Sequence, residues 1–248
     1  MQEMWRMCFR QNRHKTITEE NPAYKGYELH IKQTYKQHRS ADDKKGVTMK
    51  IIAKRETDLQ ITEFTDMVRK NRLTKILSVG DQLTVNCDGK PLLLDVIDIN
   101  RDGEDTVTVQ THYVLDELMQ YNENGQLAWN TSDIRHFLHR VFLPRLDAEF
   151  VSVLAARKST NTIGEDTLDR VFIPSVDEMV NGYEYYRIQE RTVKTNRDGE
   201  YKTYWVRCPS AWAETGTWCC GGGYYRRQTG NSSLAVAPCM VIGREQYE

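Results

Sequence analysis

The sequence has no long apolar run. Its longest extends only from Leu234 to Ile242 and is broken by Pro238, far short of the ~20 residues that cross a bilayer. The opening stretch, MQEMWRMCFRQNRHK, is charged and has no apolar h-region, so it does not have the form of a secretory signal. The six cysteines, at 8, 87, 208, 219, 220 and 239, contain no C-x-x-C pair, which leaves a zinc ribbon without support. Reduced thiols and a cytoplasmic site of synthesis are the expectation, with no membrane partner. Neither sign of charge dominates, since the net charge is -1. No overall field therefore draws the chain to nucleic acid or acidic lipid. Histidine is missing after His139, so the C-terminal region holds no ready general base. There is no internal repeat and no low-complexity segment.

Residues 1–48 have few aliphatic side chains. Their only Val, Ile or Leu residues are Ile17, Leu29, Ile31 and Val47, against 10 Lys/Arg and 6 Asp/Glu. Such a segment buries too little surface to offset its ordering entropy. Codons for Lys44-Lys45-Gly46-Val47-Thr48 can also spell a purine-rich AAGGAG ribosome-binding site just before Met49. Two expectations follow for 1–48: a disordered basic tail, or translated leader ahead of a start at Met49.

What is present is ordinary for a globular chain of 248 residues: 39% hydrophobic and 28% charged, with 13 Tyr and 5 Trp. Within Leu59–Asn71, Ile61, Phe64, Met67 and Val68 share one face of a short amphipathic helix. Residues 49–77 are thus expected to be an added N-terminal helix and linker, and 78–248 the main domain. LTVN and PLLLDVIDI flank Asp88-Gly89 as a hairpin, and TVTVQTHYVL follows as a third strand. Ser132 or Thr131 caps a helix carrying Ile134, Phe137, Leu138, Val141 and Phe142, limited by Pro144. Ser175-Val176-Asp177-Glu178 has capping-box spacing. Residues 186–203 are polar and are expected to be an exposed excursion. Tyr204–Arg207 and Leu234–Ile242 read as strands. Strands, then helices, then strands again make an α+β fold of compact mixed or antiparallel sheets with a few short helices.

The stretch TWCCGGGYYRRQTGNSS, 217–233, raises the sharpest chemical question. A phosphate loop needs its glycines to open a helix, and none is promised here. A reactive thiol needs a base or a positive neighbourhood; Arg226 and Arg227 are near, but no histidine is. Adjacent cysteines bridge only with strain. Cys208, Cys219, Cys220 and Cys239 fit no metal-ligand spacing. Trp212, Trp218, Tyr224 and Tyr225 lie among glycines and polar residues, a composition suited to recognition. The alternative is that these rings fold back over the core. His136 and His139 could share a metal only with a third ligand, which the sequence does not supply, so they are read as solvent-facing. Ser132 is read as a cap, not a nucleophile.

Three motifs occur in order. The first is Trp129, Ser132, Ile134, Arg135 and Leu138; the second is Thr167, Asp169, Val171, Phe172, Ser175 and Glu178; the third is Trp205, Val206, Arg207, Cys208 and Pro209. A final strand, Ala237-Pro238-Cys239-Met240-Val241-Ile242, completes the set. Over roughly Ser78–Gly243 the chain resembles the family known as domain of unknown function 6273, found in anaerobic gut bacteria and their phages. The resemblance implies a C-type-lectin-like α+β domain, related to formylglycine-generating and retroelement-diversified groups, and no established activity. The chain departs from the family pattern at Ala237, where Arg is usual, and at Cys208, where Ser is usual.

Arg135, Asp169, Glu178 and Arg207 are expected to form a structural network, because buried charge persists only when paired. Trp129 and Trp205 are expected to be core anchors. Trp212, Trp218, Tyr224, Tyr225, Arg226 and Arg227 are the expected ligand-binding set. The function expected is non-catalytic recognition of a glycan or protein on a cell or virion surface through the 208–233 loop region, with no cofactor or metal and with oligomerisation open. A structural virion component and a cysteine-dependent enzyme of the formylglycine-generating type are the alternatives.

Overall fold

The computed structural model describes residues 48–52, 56–161, 163–207 and 217–244. The expected leader or tail, save Thr48, therefore lies outside the described residues, as do Cys208, Pro209 and Trp212. No described helix is long and apolar enough to cross a membrane.

Two strands, β1 (Thr48–Ile52) and β2 (Glu56–Gln60), precede helix α1 (Ile61–Arg69). The sequence reading placed only a helix and linker in this region. β1 instead pairs with β3 (Gln82–Cys87), so these strands extend the main sheet. α1 turns Ile61, Phe64 and Val68 inward, and Glu63 accepts from the Gln60 amide at its start. Met67, on the predicted face, is only partly buried.

β3 turns at Asp88-Gly89, both with positive φ, into β4 (Lys90–Ile99), as the Asp-Gly signal requires. β4 pairs with β5 (Val107–Thr111). A short β6 (Met119–Gln120) follows, then α2 (Asp133–Phe137), capped by the Ser132 hydroxyl accepting from the Arg135 amide. At Leu138 the helix widens into a π turn, Leu138–Phe142, before a 3-10 turn that holds Pro144. That widening explains one failed expectation. A regular helix would bury both Val141 and Phe142, seven and eight residues after Ile134; the extra residue per turn keeps Phe142 buried and leaves Val141 40% exposed.

After α3 (Ala148–Val151) come β7 (Leu154–Ala155), β8 (Arg157–Ser159), β9 (Thr167–Asp169) and β10 (Val171–Phe172). Further on lie β11 (Lys194–Thr195), β12 (Tyr201–Lys202), β13 (Tyr204–Val206), β14 (Thr217–Gly221), β15 (Tyr224–Gln228), β16 (Ser233–Leu234) and β17 (Cys239–Ile242). The main sheet runs β10-β17-β5-β4-β3-β1-β2, with β7 also on β17, and every pairing is antiparallel. β5 and β17 are buried along their whole length, so the core is centred on them. The architecture is α+β, as the order of elements implied.

The single closing strand expected over 234–242 is two strands with a break around Pro238, whose carbonyl accepts from the Thr111 amide. The 186–203 segment is exposed at 187–190 and 197–201, but it is anchored to the core at three points and is not an exposed excursion throughout. Tyr186, Thr192 and Lys194 are buried, and the Tyr186 hydroxyl donates to Gln110. Lys194 Nζ donates to the Thr111 carbonyl at 2.7 Å and lies 3.4 Å from Asp95, which His112 contacts at 2.8 Å. Burial opposes ionisation of Asp95, yet His112 and Lys194 together hold it well below the usual carboxylate range.

Candidate functional site

Two regions gather the residues that the sequence marked out. The first is the inner face of the β8–β9 hairpin. Its register sets Arg157 opposite Asp169 and Ser159 opposite Thr167, while Lys158 and Leu168 fall on the other face. All four inward residues are polar and buried.

Asp169 is saturated. Oδ2 accepts from Trp129 Nε1 at 2.9 Å and Thr167 Oγ1 at 2.6 Å. Oδ1 accepts from Arg135 Nε at 2.7 Å and His139 Nε2 at 3.1 Å. Burial pushes its pKa up, but the bonds from His139, Thr167, Trp129 and Arg135 outweigh it and hold the carboxyl well below the ordinary range. His139 is therefore not simply solvent-facing, as its sequence context suggested. Its partner lies 30 residues away.

Glu178 forms a second cluster beside the first. Its carboxylate accepts from Arg157 NH2 at 2.7 Å and from Arg207 NH2 at 2.8 Å. It also closes the capping box, accepting from the Ser175 amide at 2.7 Å while Ser175 Oγ accepts from the Glu178 amide. Burial raises its pKa, but Arg207 and Arg157 overcome this and bring it to about 2. Arg157 also reaches Asp102 at 3.3 Å and donates to the Tyr183 hydroxyl at 2.6 Å. Arg207 donates from Nε to the Ile173 carbonyl and from its amide to the Pro174 carbonyl. Arg135, Arg157 and Arg207 thus face Asp102, Asp169 and Glu178 in a layer of balanced charge. Such a layer locks helix, hairpin and strand together. Arg157, Asp102 and Tyr183 are members that sequence reasoning missed; Arg157 sits in a stretch that reads as loop.

The second region is the small sheet β13-β14-β15. The opening glycines are explained here. Gly222 and Gly223 both have positive φ, 59° and 80°, and form the two-residue turn between β14 and β15. A Cβ at Gly221 would lie 2.5 Å from Thr203 Oγ1, so this position also needs its bare backbone. The segment expected to be an irregular loop is therefore a hairpin. One face carries Tyr204, Cys220 and Tyr225, then Val206, Trp218 and Arg227; the other carries Trp205, Cys219 and Arg226, then Gly221 and Tyr224.

Trp218 is not displayed. It is 7% exposed, and the Arg227 guanidinium lies 5.6 Å from its ring centroid. Its ring is apolar enough to follow the buried strand beside it, which is why composition misled. Tyr225 is half-buried against the core. Tyr224, 52% exposed, and Arg226 on one face, and Arg227 on the other over Trp218, are exposed. Behind them β13 is fully buried. Tyr204 donates to the Thr192 carbonyl at 2.8 Å, and Trp205 Nε1 donates to the Met119 carbonyl at 2.7 Å.

Cys219 and Cys220 are buried on opposite faces of β14, so they cannot bridge to each other. Burial raises both thiol pKa values, that of Cys220 to about 11. Burial raises Cys239 as well. Thiolate chemistry at these positions would begin from the protonated form. Among the described residues no group of three or more His, Cys, Asp and Glu side chains could hold a metal ion.

A family model described as Domain of unknown function (DUF6273) matches residues 104–243. The chain belongs to this family. No curated protein and no solved structure matches it. The DUF6273 span includes the whole β13–β15 sheet and every member of the two ionic clusters except Asp102, so the charged motif residues and the hairpin belong to one domain. The motif residues Trp129, Ser132, Arg135, Asp169, Glu178, Trp205 and Arg207 all lie in this supporting framework.

Proposed function

We propose that this DUF6273 domain is a non-catalytic recognition module that presents the outer strand of the 217–228 hairpin to a glycan or protein on a cell or virion surface. The observation that carries the reading is the contrast across that hairpin. Its inner partner β13 is wholly buried and pinned on both faces, while Tyr224, Arg226 and Arg227 are exposed on the outer strand. Aromatic and arginine side chains on a rigid support bind with little loss of entropy. Trp218 and Tyr225 act from behind, as packing for the strand. The C-type-lectin-like frame implied by the resemblance belongs to the same proposal: a supported recognition segment on an α+β base is the arrangement it implies. The buried, protonated thiols count against a formylglycine-generating type of enzyme.

The test is binding of the full chain to an array of glycans and to bacterial and virion surfaces, alongside the Tyr224→Ala/Arg226→Ala variant. Loss of binding with unchanged thermal midpoint supports recognition. Loss of oligomerisation in that variant, with no ligand found for the parent chain, would instead make the hairpin an assembly interface.

A further inference from the structure

We propose that the outer face of the helical run 133–142 is a separate binding site for the oxyanion end of a ligand, a phosphate or a carboxylate. It does not depend on the hairpin reading. Arg135 and His139 are four residues apart and donate to the same oxygen, Asp169 Oδ1, at 2.7 and 3.1 Å. The buried carboxylate has both oxygens filled by donors, so it orients these two side chains and does not compete for a ligand. An ionised carboxylate only accepts, so His139 carries a proton on Nε2. Among the described residues His139 Nδ1 has no partner, nor does Arg135 NH2, and Arg135 NH1 makes only a 3.4 Å bond to the Asn130 carbonyl. Each of the two side chains is 25% exposed.

His136 and Arg140 repeat the same four-residue spacing one position along, are exposed, and have no partner among the described residues. Four basic side chains thus share about two turns. His139 stands in the π turn, and such widened turns are frequent at functional sites. The Arg–His pair is held rigid, which lowers the entropy lost on binding.

The chemistry is charge-assisted hydrogen bonding. One ligand oxygen accepts from the Arg135 fork, and a second accepts from His139 Nδ1 once that nitrogen is protonated from solvent. The charged groups around His139 are Asp169 from β9, and Arg135, His136 and Arg140 from its own helix. Asp133 starts that helix, and its carboxylate accepts from the Glu123 amide. β6 and β10, which also pack here, contribute no ionisable side chain.

The experiment is titration of the full chain with inorganic phosphate and, separately, acetate, at ionic strength held constant with chloride. Side-chain nitrogen resonances of histidine and arginine are followed. Saturable shifts at Arg135 and His139 are expected. Preference for phosphate or acetate identifies the oxyanion. His136→Gln and Arg140→Gln, which leave Asp169 untouched, should each weaken binding about two- to fivefold, the range of exposed ion pairs, without lowering the thermal midpoint. Arg135→Lys should weaken it more than either, since it keeps the charge and loses the fork. Shifts that do not saturate, that chloride reproduces, or that are undiminished in the His136→Gln/Arg140→Gln double variant would overturn the proposal.

Discussion

The inner face of β8–β9 and the outer strand of the 217–228 hairpin are both rich in polar and charged side chains, yet they stand in opposite situations. On β8–β9, Asp169 accepts four hydrogen bonds, and Arg157 joins Arg207 in holding Glu178. On β15, Tyr224 and Arg226 face solvent. The lesson is that a charged motif is not by itself a binding site. Saturation decides: a buried group with every partner in place stabilises a shape, whereas an exposed group on a rigid support has capacity left for a ligand.

The largest blow to this contrast comes from removing one carboxylate of the buried layer. Glu178→Ala leaves Arg157 and Arg207 without their shared partner and should cost about 3–5 kcal/mol, read by urea unfolding. If it costs no more than a surface change, the layer is not what holds the domain. Acid gives the same comparison without mutation. Glu178 falls from its ordinary 4.5 to about 2 on folding. A lowered pKa adds stability above the unfolded value, and that stability is lost as pH falls through the folded one. Stability should drop by on the order of 3 kcal/mol as pH falls from about 5 toward 2. Asp169 and Asp95 add to the fall in the same direction. In Glu178→Gln this acid limb should flatten.

Trp129→Phe removes one of four donors to Asp169 and keeps most of the ring. A loss of about 1–3 kcal/mol is expected, with Arg135 and His139 still in place. Cys219 and Cys220 should resist iodoacetamide in the folded chain and react on unfolding; rapid native labelling would return the thiol reading to consideration. The smallest effect belongs to the outer strand. Tyr224→Ala should change stability by less than about 0.5 kcal/mol. A larger loss would mean that this strand supports the fold as β13 does.

Much of the fold could be read along the chain where neighbours a few residues apart determine it. The Asp88-Gly89 turn, the Ser132 cap and the Ser175–Glu178 box all formed as expected, because each is closed by local hydrogen bonds. That Arg135, Asp169, Glu178 and Arg207 would be paired was legible too, since charged residues set among apolar ones must find partners. Which partners was not legible. Arg157 looks like loop, and its contacts to Asp102, Glu178 and Tyr183 span long separations. The π turn gave no periodic signal, so Val141 was misplaced. Trp218 sat among glycines and polar residues and was taken for a displayed ring, although strand pairing carries it inside.

By itself the sequence determined the α+β class, the turns, the caps and the need for charge pairing, because propensity and short-range hydrogen bonding act within a few residues. Tertiary structure alone decided that β1 and β2 join the main sheet, which guanidinium meets which carboxylate, and which of the hairpin's aromatic rings reach water. Those outcomes depend on groups far apart in the chain being brought into one low-dielectric layer, where burial makes an unpaired charge costly and so favours the arrangement that pairs the charges.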